Sequence, residues 1–189
     1  MASAKRDQLI ESALKLFYRQ GFHATGIDAI IAESGVARMT LYKHFKSKDE
    51  LILAVLRHRD ERFRHWFSNA VERRATMPGA RLLAVFDALE EWFGQPDFTG
   101  CMFINASAEF ADPAHPIHKT AAAHKILMRR YLSGLARDAG APTPEALGNS
   151  LALLVEGAIV MRHVGGDQAA AAQGRAAALV LIKDALAPG

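Results

Sequence analysis

Apolar positions recur at helical spacing through nearly the whole chain, and no segment alternates as a half-buried strand would. Between residues 4 and 20, Leu9, Ile10, Ala13, Leu14 and Phe17 fall on one stripe, and Gly21 stands where a helix C-terminus ends. Thr25-Gly26-Ile27-Asp28 has the form of a capping box and predicts a short helix ending near Ser34-Gly35. A second short helix is expected over 37–44. Ser47-Lys48-Asp49-Glu50 forms another capping box and opens a long helix toward Arg74, broken at Met77-Pro78-Gly79. Further helices are expected over 80–93, 102–111, 117–138, 144–163 and 167–186. The breaks between them hold Gly94 and Pro96, Asp112-Pro113 and His115-Pro116, Gly140 to Pro144, and Gly165-Gly166. Thr143 is expected to cap the helix that begins with Pro144.

The pattern predicts an all-α chain: an N-terminal three-helix domain over 1–47, then a larger helical domain over 48–189. Its 189 residues suffice for two small domains with buried cores. The formal net charge of +3 is small, but it is unevenly spread. Up to residue 74 fourteen Lys and Arg face nine Asp and Glu, an excess of five, so the remainder carries −2. One anion-facing domain at the front fits that asymmetry. The single cysteine, Cys101, forms no intrachain disulfide. The N-terminus lacks an apolar signal core, and no apolar run is read as reaching bilayer length. A cytoplasmic protein with no membrane partner is expected.

Two short helices joined at Gly35 have the outline of a helix-turn-helix, in which the second helix enters the major groove. Gly35 suits a corner needing positive φ, and Val36 and Leu41 are expected to lock the pair together. On the second helix Ala37, Arg38, Met39, Thr40 and Lys43 are the candidate base-reading residues. An Arg suits guanine O6 and N7, and a Met packs on a thymine methyl.

Phe17, Gly21-Phe22, Thr25, Ile27, Ile30, Gly35-Val36, Thr40-Leu41-Tyr42, His44-Phe45 and Lys48-Asp49-Glu50-Leu51 resemble the N-terminal signature of TetR-family regulators, without gaps from Gly21 to Leu51. The resemblance is sharp over the first quarter of the chain. It implies a double-stranded DNA operator as partner, a homodimer, an unknown small-molecule effector, and phosphate contacts at Thr25, Tyr42, His44 and Lys48. Thr25 and Lys48 are read as helix N-terminal positions, where the dipole favours anions. Two positions depart from the family's habit. Ala37 replaces the usual Ser or Thr cap of the recognition helix, and Met39 replaces a small residue or Pro.

In the larger domain, Phe86, Trp92, Phe103, Asn105, Glu109, His124, Met128 and Tyr131 are the candidate effector-pocket residues: aromatics and Met with a few polar groups. For most of the apolar ones, plain core packing is the competing reading. The last two helices are apolar around more than one face, so Leu151, Val155, Ala158, Leu179 and Ile182 are expected at a dimer interface. His115, His118 and His124 lack ligand spacing, so no metal and no cofactor are expected. No motif of a nucleophile, phosphate loop or metalloprotease appears, which argues against an enzyme. The resulting reading is a DNA-binding transcriptional regulator, a repressor released by a small molecule. A helical ligand-binding or adaptor protein with a vestigial DNA head stands as the alternative. A small helical enzyme is a weaker third.

Overall fold

The computed structural model describes residues 2–187. Nine α-helices and no strands occur among them: α1 Ala2–Gln20, α2 Ile27–Ser34, α3 Arg38–His44, α4 Lys48–Arg74, α5 Pro78–Phe93, α6 Met102–Glu109, α7 Pro116–Asp138, α8 Pro144–Val164 and α9 Ala170–Ala185. The all-α expectation holds. The chain forms two compact units. One comprises residues up to Arg62 together with Cys101–His124, the other Phe63–Gly100 together with the residues from Lys125 onward.

In the first unit the stripe of α1 (Leu9, Ile10, Ala13, Phe17) is buried, as are Phe22, Ile30, Val36, Leu41 and Phe45. α1 packs on α2 and α3. The corner between α2 and α3 is Gly35, left-handed at φ 62°, with its N–H donating to the Ile31 carbonyl at 2.9 Å. That conformation is cheap only without a Cβ. Val36 and Leu41 are fully covered, so they do lock the helix pair.

The capping forecasts divide. Ser47 caps α4 as expected: the Glu50 N–H donates to Ser47 Oγ at 3.2 Å, while the Glu50 carboxylate accepts the Lys46 N–H at 2.6 Å. At α2 the forecast fails. Gly26 occupies the N-cap without a side-chain bond, and Thr25 donates its hydroxyl to the Gly21 carbonyl at 2.7 Å. Thr25 is spent on closing the preceding turn. Thr143 precedes Pro144 as expected but makes no side-chain cap. α5 begins at Pro78 rather than 80, because proline at a first helical position costs no hydrogen bond. α9 begins at Ala170 rather than 167, because Asp167 holds a turn there: its carboxylate accepts the Ala169 N–H at 2.8 Å and a Gln173 side-chain N–H at 3.1 Å.

In the second unit α9 packs on α8 and α5. Gly174 is a close-approach point, since a Cβ there would lie 2.9 Å from the Phe86 ring. An aromatic cluster fills another part. Phe63 meets Trp92 edge-on at 4.7 Å and Phe67 at 5.7 Å, Phe98 meets Trp92 at 5.1 Å, and Phe67 meets Tyr131 at 6.2 Å. Each buried aromatic contributes on the order of 1.5–3 kcal/mol. By length and composition alone α8 could cross a membrane: its most apolar 18-residue window has a mean hydropathy of 1.2, and a third of that window is buried within the chain.

Candidate nucleic-acid interface

α3 presents its candidate residues on one side. Leu41 and Phe45 are buried against the head, while Ala37, Arg38, Met39, Tyr42 and Lys43 are exposed and Thr40 and His44 half-buried. Met39 is 86% exposed. A large apolar side chain left in water at the start of a short helix forgoes roughly 1–2 kcal/mol of burial. Arg38 is not free: its guanidinium pairs with the Asp28 carboxylate of α2. Both side chains are largely exposed, so the pair is worth less than about 1 kcal/mol and exchanges readily for a stronger acceptor. The pair was not foreseen, although an Asp ten residues before an Arg across a helix corner is a visible signal.

Ala37 begins α3 without a side-chain cap, as its identity requires. Lys48, the first residue of α4, donates from Nζ to the His23 carbonyl at 3.3 Å. Tyr42, Lys43, Lys46 and Lys48 thus line the same corner of the chain around the end of α3 and the start of α4, with the acids Asp49 and Glu50 beside them. Thr25 differs from its expected part. It is 1% exposed, and its hydroxyl is committed to Gly21.

The eight candidate pocket residues fall in both units. Phe103, Asn105, Glu109 and His124 belong to the first, Phe86, Trp92, Met128 and Tyr131 to the second. Two of the first set meet. The buried His124 ring stacks on Phe103 at 3.7 Å, and its Nδ1 lies 2.7 Å from an Asp60 carboxylate oxygen. Glu109 is used elsewhere, on the backbone of Phe22 and His23. In the second set Phe86 is core against Gly174, and Trp92 belongs to the aromatic cluster. The Tyr131 hydroxyl is buried with no hydrogen-bond partner. Its pKa is pushed up from 10.0 to about 12, first by burial and then by the Glu72 charge, with Arg81 pulling the other way. None of the eight lines the open groove of about 430 Å³ between α7 and α8, which is bounded by Lys125, Ile126, Arg129, Asn149, Leu153 and Glu156.

The residues expected at a dimer interface are also placed differently. Leu151, Val155, Ala158 and Ile182 are buried within the chain itself, and Leu179 is half-buried. The large apolar residues that α8 and α9 leave in solvent are Leu153, Val160, Met161, Val164, Val180 and Leu181. The sequence pattern could not separate the two faces, because both are apolar. Among the histidines that invited a metal reading, His118 Nδ1 lies 2.8 Å from the Phe110 carbonyl and His124 is held by Asp60.

Comparison with known proteins matches two parts of the chain. Residues 9–55 match the bacterial regulatory proteins of the tetR family, and residues 78–178 match the tetracyclin repressor-like C-terminal domain. The HTH-type transcriptional regulator YjdC of Escherichia coli is 24% identical over 165 residues, 87% of this chain and 86% of its own. The HTH-type transcriptional activator FasR of Mycolicibacterium smegmatis is 49% identical over 57 residues, 30% of this chain and 26% of its own. Among solved structures, a TetR-family transcriptional regulator from Streptomyces coelicolor superposes with a TM-score of 0.88 at 32% identity, covering 97% of each chain. The reduced form of NemR from Escherichia coli shares the fold, with a TM-score of 0.84 at 17% identity over 93% of this chain and 95% of its own. The chain belongs to the tetR family of bacterial regulatory proteins and is a helix-turn-helix, DNA-binding regulator of transcription.

Proposed function

We propose that this regulator is a cytoplasmic, non-enzymatic homodimeric repressor released from its operator by a small molecule. Residues 1–47 form the DNA-binding part and 48–189 the effector and dimer part. The observation that carries the DNA reading is the exposed start of α3, with Met39 in water and Arg38 held only by a surface pair. In this reading Arg38, Met39, Thr40, Lys43 and the Ala37 methyl read base edges, while Tyr42, His44 and Lys48 position the head on phosphates. Thr25 shapes the turn beneath them. The sign of regulation is ours to propose, since among the relatives ComR of Escherichia coli is a repressor and FasR an activator.

The dimer would set two recognition helices about 34–36 Å apart, in successive major grooves. For its interface we assign the exposed stripe of α8 (Leu153, Gly157, Val160, Met161, Val164) with Val180 and Leu181 of α9. The α8 positions recur at intervals of three and four and so share one face. The effector reading is supported by the aromatic cluster around Phe63, Phe67 and Trp92, and by the Tyr131 hydroxyl, which lacks a partner that a ligand oxygen would supply.

The test begins with duplexes selected from random DNA by the purified protein. Each mutant is then titrated against a selected duplex and a random one at several salt concentrations. Lys48→Ala should weaken both and lower the salt slope by about one unit per half-site, as one fewer counterion is released. Arg38→Ala should cost on the order of 1–3 kcal/mol per half-site on the selected duplex and less on random DNA. Equal losses on both duplexes for Arg38→Ala would remove it from the base-reading set. If no duplex is selected, an adaptor with a vestigial head becomes the better reading.

A further inference from the structure

We propose that Glu109, the last residue of α6, is a specificity-positioning residue for DNA binding: its carboxylate clamps the turn between α1 and α2 and so holds the helix-turn-helix in reading register. It stands outside the DNA face and acts through the backbone. Glu109 Oε1 accepts the N–H of Phe22 at 2.8 Å, and Oε2 accepts the N–H of His23 at 2.6 Å. Two amides on one carboxylate make a bidentate, charge-assisted clamp, stronger than a pair of neutral bonds. The grip reaches across 86 and 87 residues of sequence.

The local sequence is fitted to it. Gly21 is left-handed at φ 86°, and a Cβ there would lie 2.9 Å from Glu109 Oε1, so glycine serves both the conformation and the approach of the carboxylate. Phe110, the next residue, lays its ring 4.8 Å from the His23 ring and 6.2 Å from that of Phe22, and the His115 ring stacks on it at 4.9 Å. The His23 Nε2 lies 3.0 Å from the Glu109 carbonyl. The end of α6 therefore fastens to this turn by five contacts: two carboxylate hydrogen bonds, one bond of the His23 ring and two ring contacts.

What the turn controls makes the clamp more than a brace. It leads into α2 through Gly26, an N-cap with no side-chain bond, so the turn is tied by Glu109 from outside and by the Thr25 hydroxyl on the Gly21 carbonyl from within. α2 carries Asp28, which holds Arg38 of α3. The His23 carbonyl receives Lys48 from α4. A turn released from Glu109 would leave the α2–α3 pair folded, since Ile30, Val36 and Leu41 still bury it, but less fixed in angle. Base contacts need the recognition helix held at a set angle in the groove, whereas phosphate contacts carry no sequence information and are made on any duplex. The signature of the clamp is consequently a fall in the ratio of selected-duplex to random-duplex affinity.

The experiment compares wild type, Glu109→Ala and Glu109→Gln, each as the full chain, in thermal melts and in titrations against the selected and random duplexes at one salt concentration. Gln retains one acceptor and the side-chain shape, and it serves where Ala is too unstable to purify. Glu109→Ala should lose about tenfold on the selected duplex and less than about threefold on random DNA, with Glu109→Gln between it and wild type. Melting temperatures that fall while the affinity ratio stays at the wild-type value would overturn the proposal and leave Glu109 as a structural brace. Equal losses on both duplexes would overturn it as well. A wild type that selects no duplex would instead defeat the DNA reading on which this inference rests.

Discussion

Tyr131 shows how one atom is placed at a cost. A buried hydroxyl with no partner gives up its bonds to water and receives nothing in return, so Tyr131→Phe should leave stability at neutral pH unchanged or raise it by up to about 1–2 kcal/mol. In alkali the wild type carries a further penalty. The folded chain holds the phenol proton more tightly than the unfolded chain, with a pKa of about 12 against 10.0. Stability from this group is thus intact below pH 10 and declines as the pH rises toward 12. Urea midpoints of the two proteins should diverge over that window. Parallel curves would mean that the phenol is more solvated than its burial implies. The sequence marks Tyr131 as a polar residue among aromatics; that its oxygen ends up unpaired follows from the packing of α4, α5 and α7.

At the scale of elements, caps and close approaches divide what is local from what is not. Ser47 caps α4 through a bond three residues long, and the four-residue motif announces it. Ser47→Ala should cost about 1 kcal/mol in a denaturant titration with little effect on packing, because the residue is exposed. Gly174 obeys another rule. Alanine is the better helix former by about 1 kcal/mol, so propensity alone favours Gly174→Ala. Yet the new methyl would press into the Phe86 ring at 2.9 Å, and overpacking typically costs 1–3 kcal/mol. We expect packing to win and the midpoint to fall; a rise would show that Phe86 yields easily. The failed forecast at Thr25 has the same origin as Gly174. A Thr three residues before an Asp satisfies the capping pattern, but in the folded turn Gly26 takes the N-cap and the Thr25 hydroxyl donates to the Gly21 carbonyl.

At the scale of the whole molecule, the two apolar faces of α8 make opposite predictions. Leu153→Glu or Val164→Glu places charge on side chains that are 75% and 78% exposed in the single chain. Either should yield a monomer in sedimentation with its helical content intact. Leu151→Glu and Ile182→Glu bury charge in the chain's own core and should unfold or aggregate it, a cost of several kcal/mol. A folded dimer carrying Leu153→Glu and Val164→Glu together would remove this face from the interface. The same face explains why α8 reaches the apolarity of a membrane-crossing helix: its apolar surface serves the chain's own core on one side and remains uncovered on the other.

The sequence by itself determined the helix count, most helix ends, the helix-turn-helix corner at Gly35 and, Thr40 apart, the exposed face of α3. These depend on periodicity, turn chemistry and short motifs, all of which act within a few residues. Tertiary structure decided which apolar face of α8 is core, where Asp28 and Thr25 spend their side chains, and that Glu109 leaves its expected pocket to hold Phe22 and His23. Those outcomes depend on groups as far as 87 residues apart, and one chain without its fold offers no means of ranking such pairings. A carboxylate on an apolar helix fits a ligand site or a backbone clamp equally well in sequence. Only the approach of two free amides, made possible by Gly21 lacking a Cβ, selects the second.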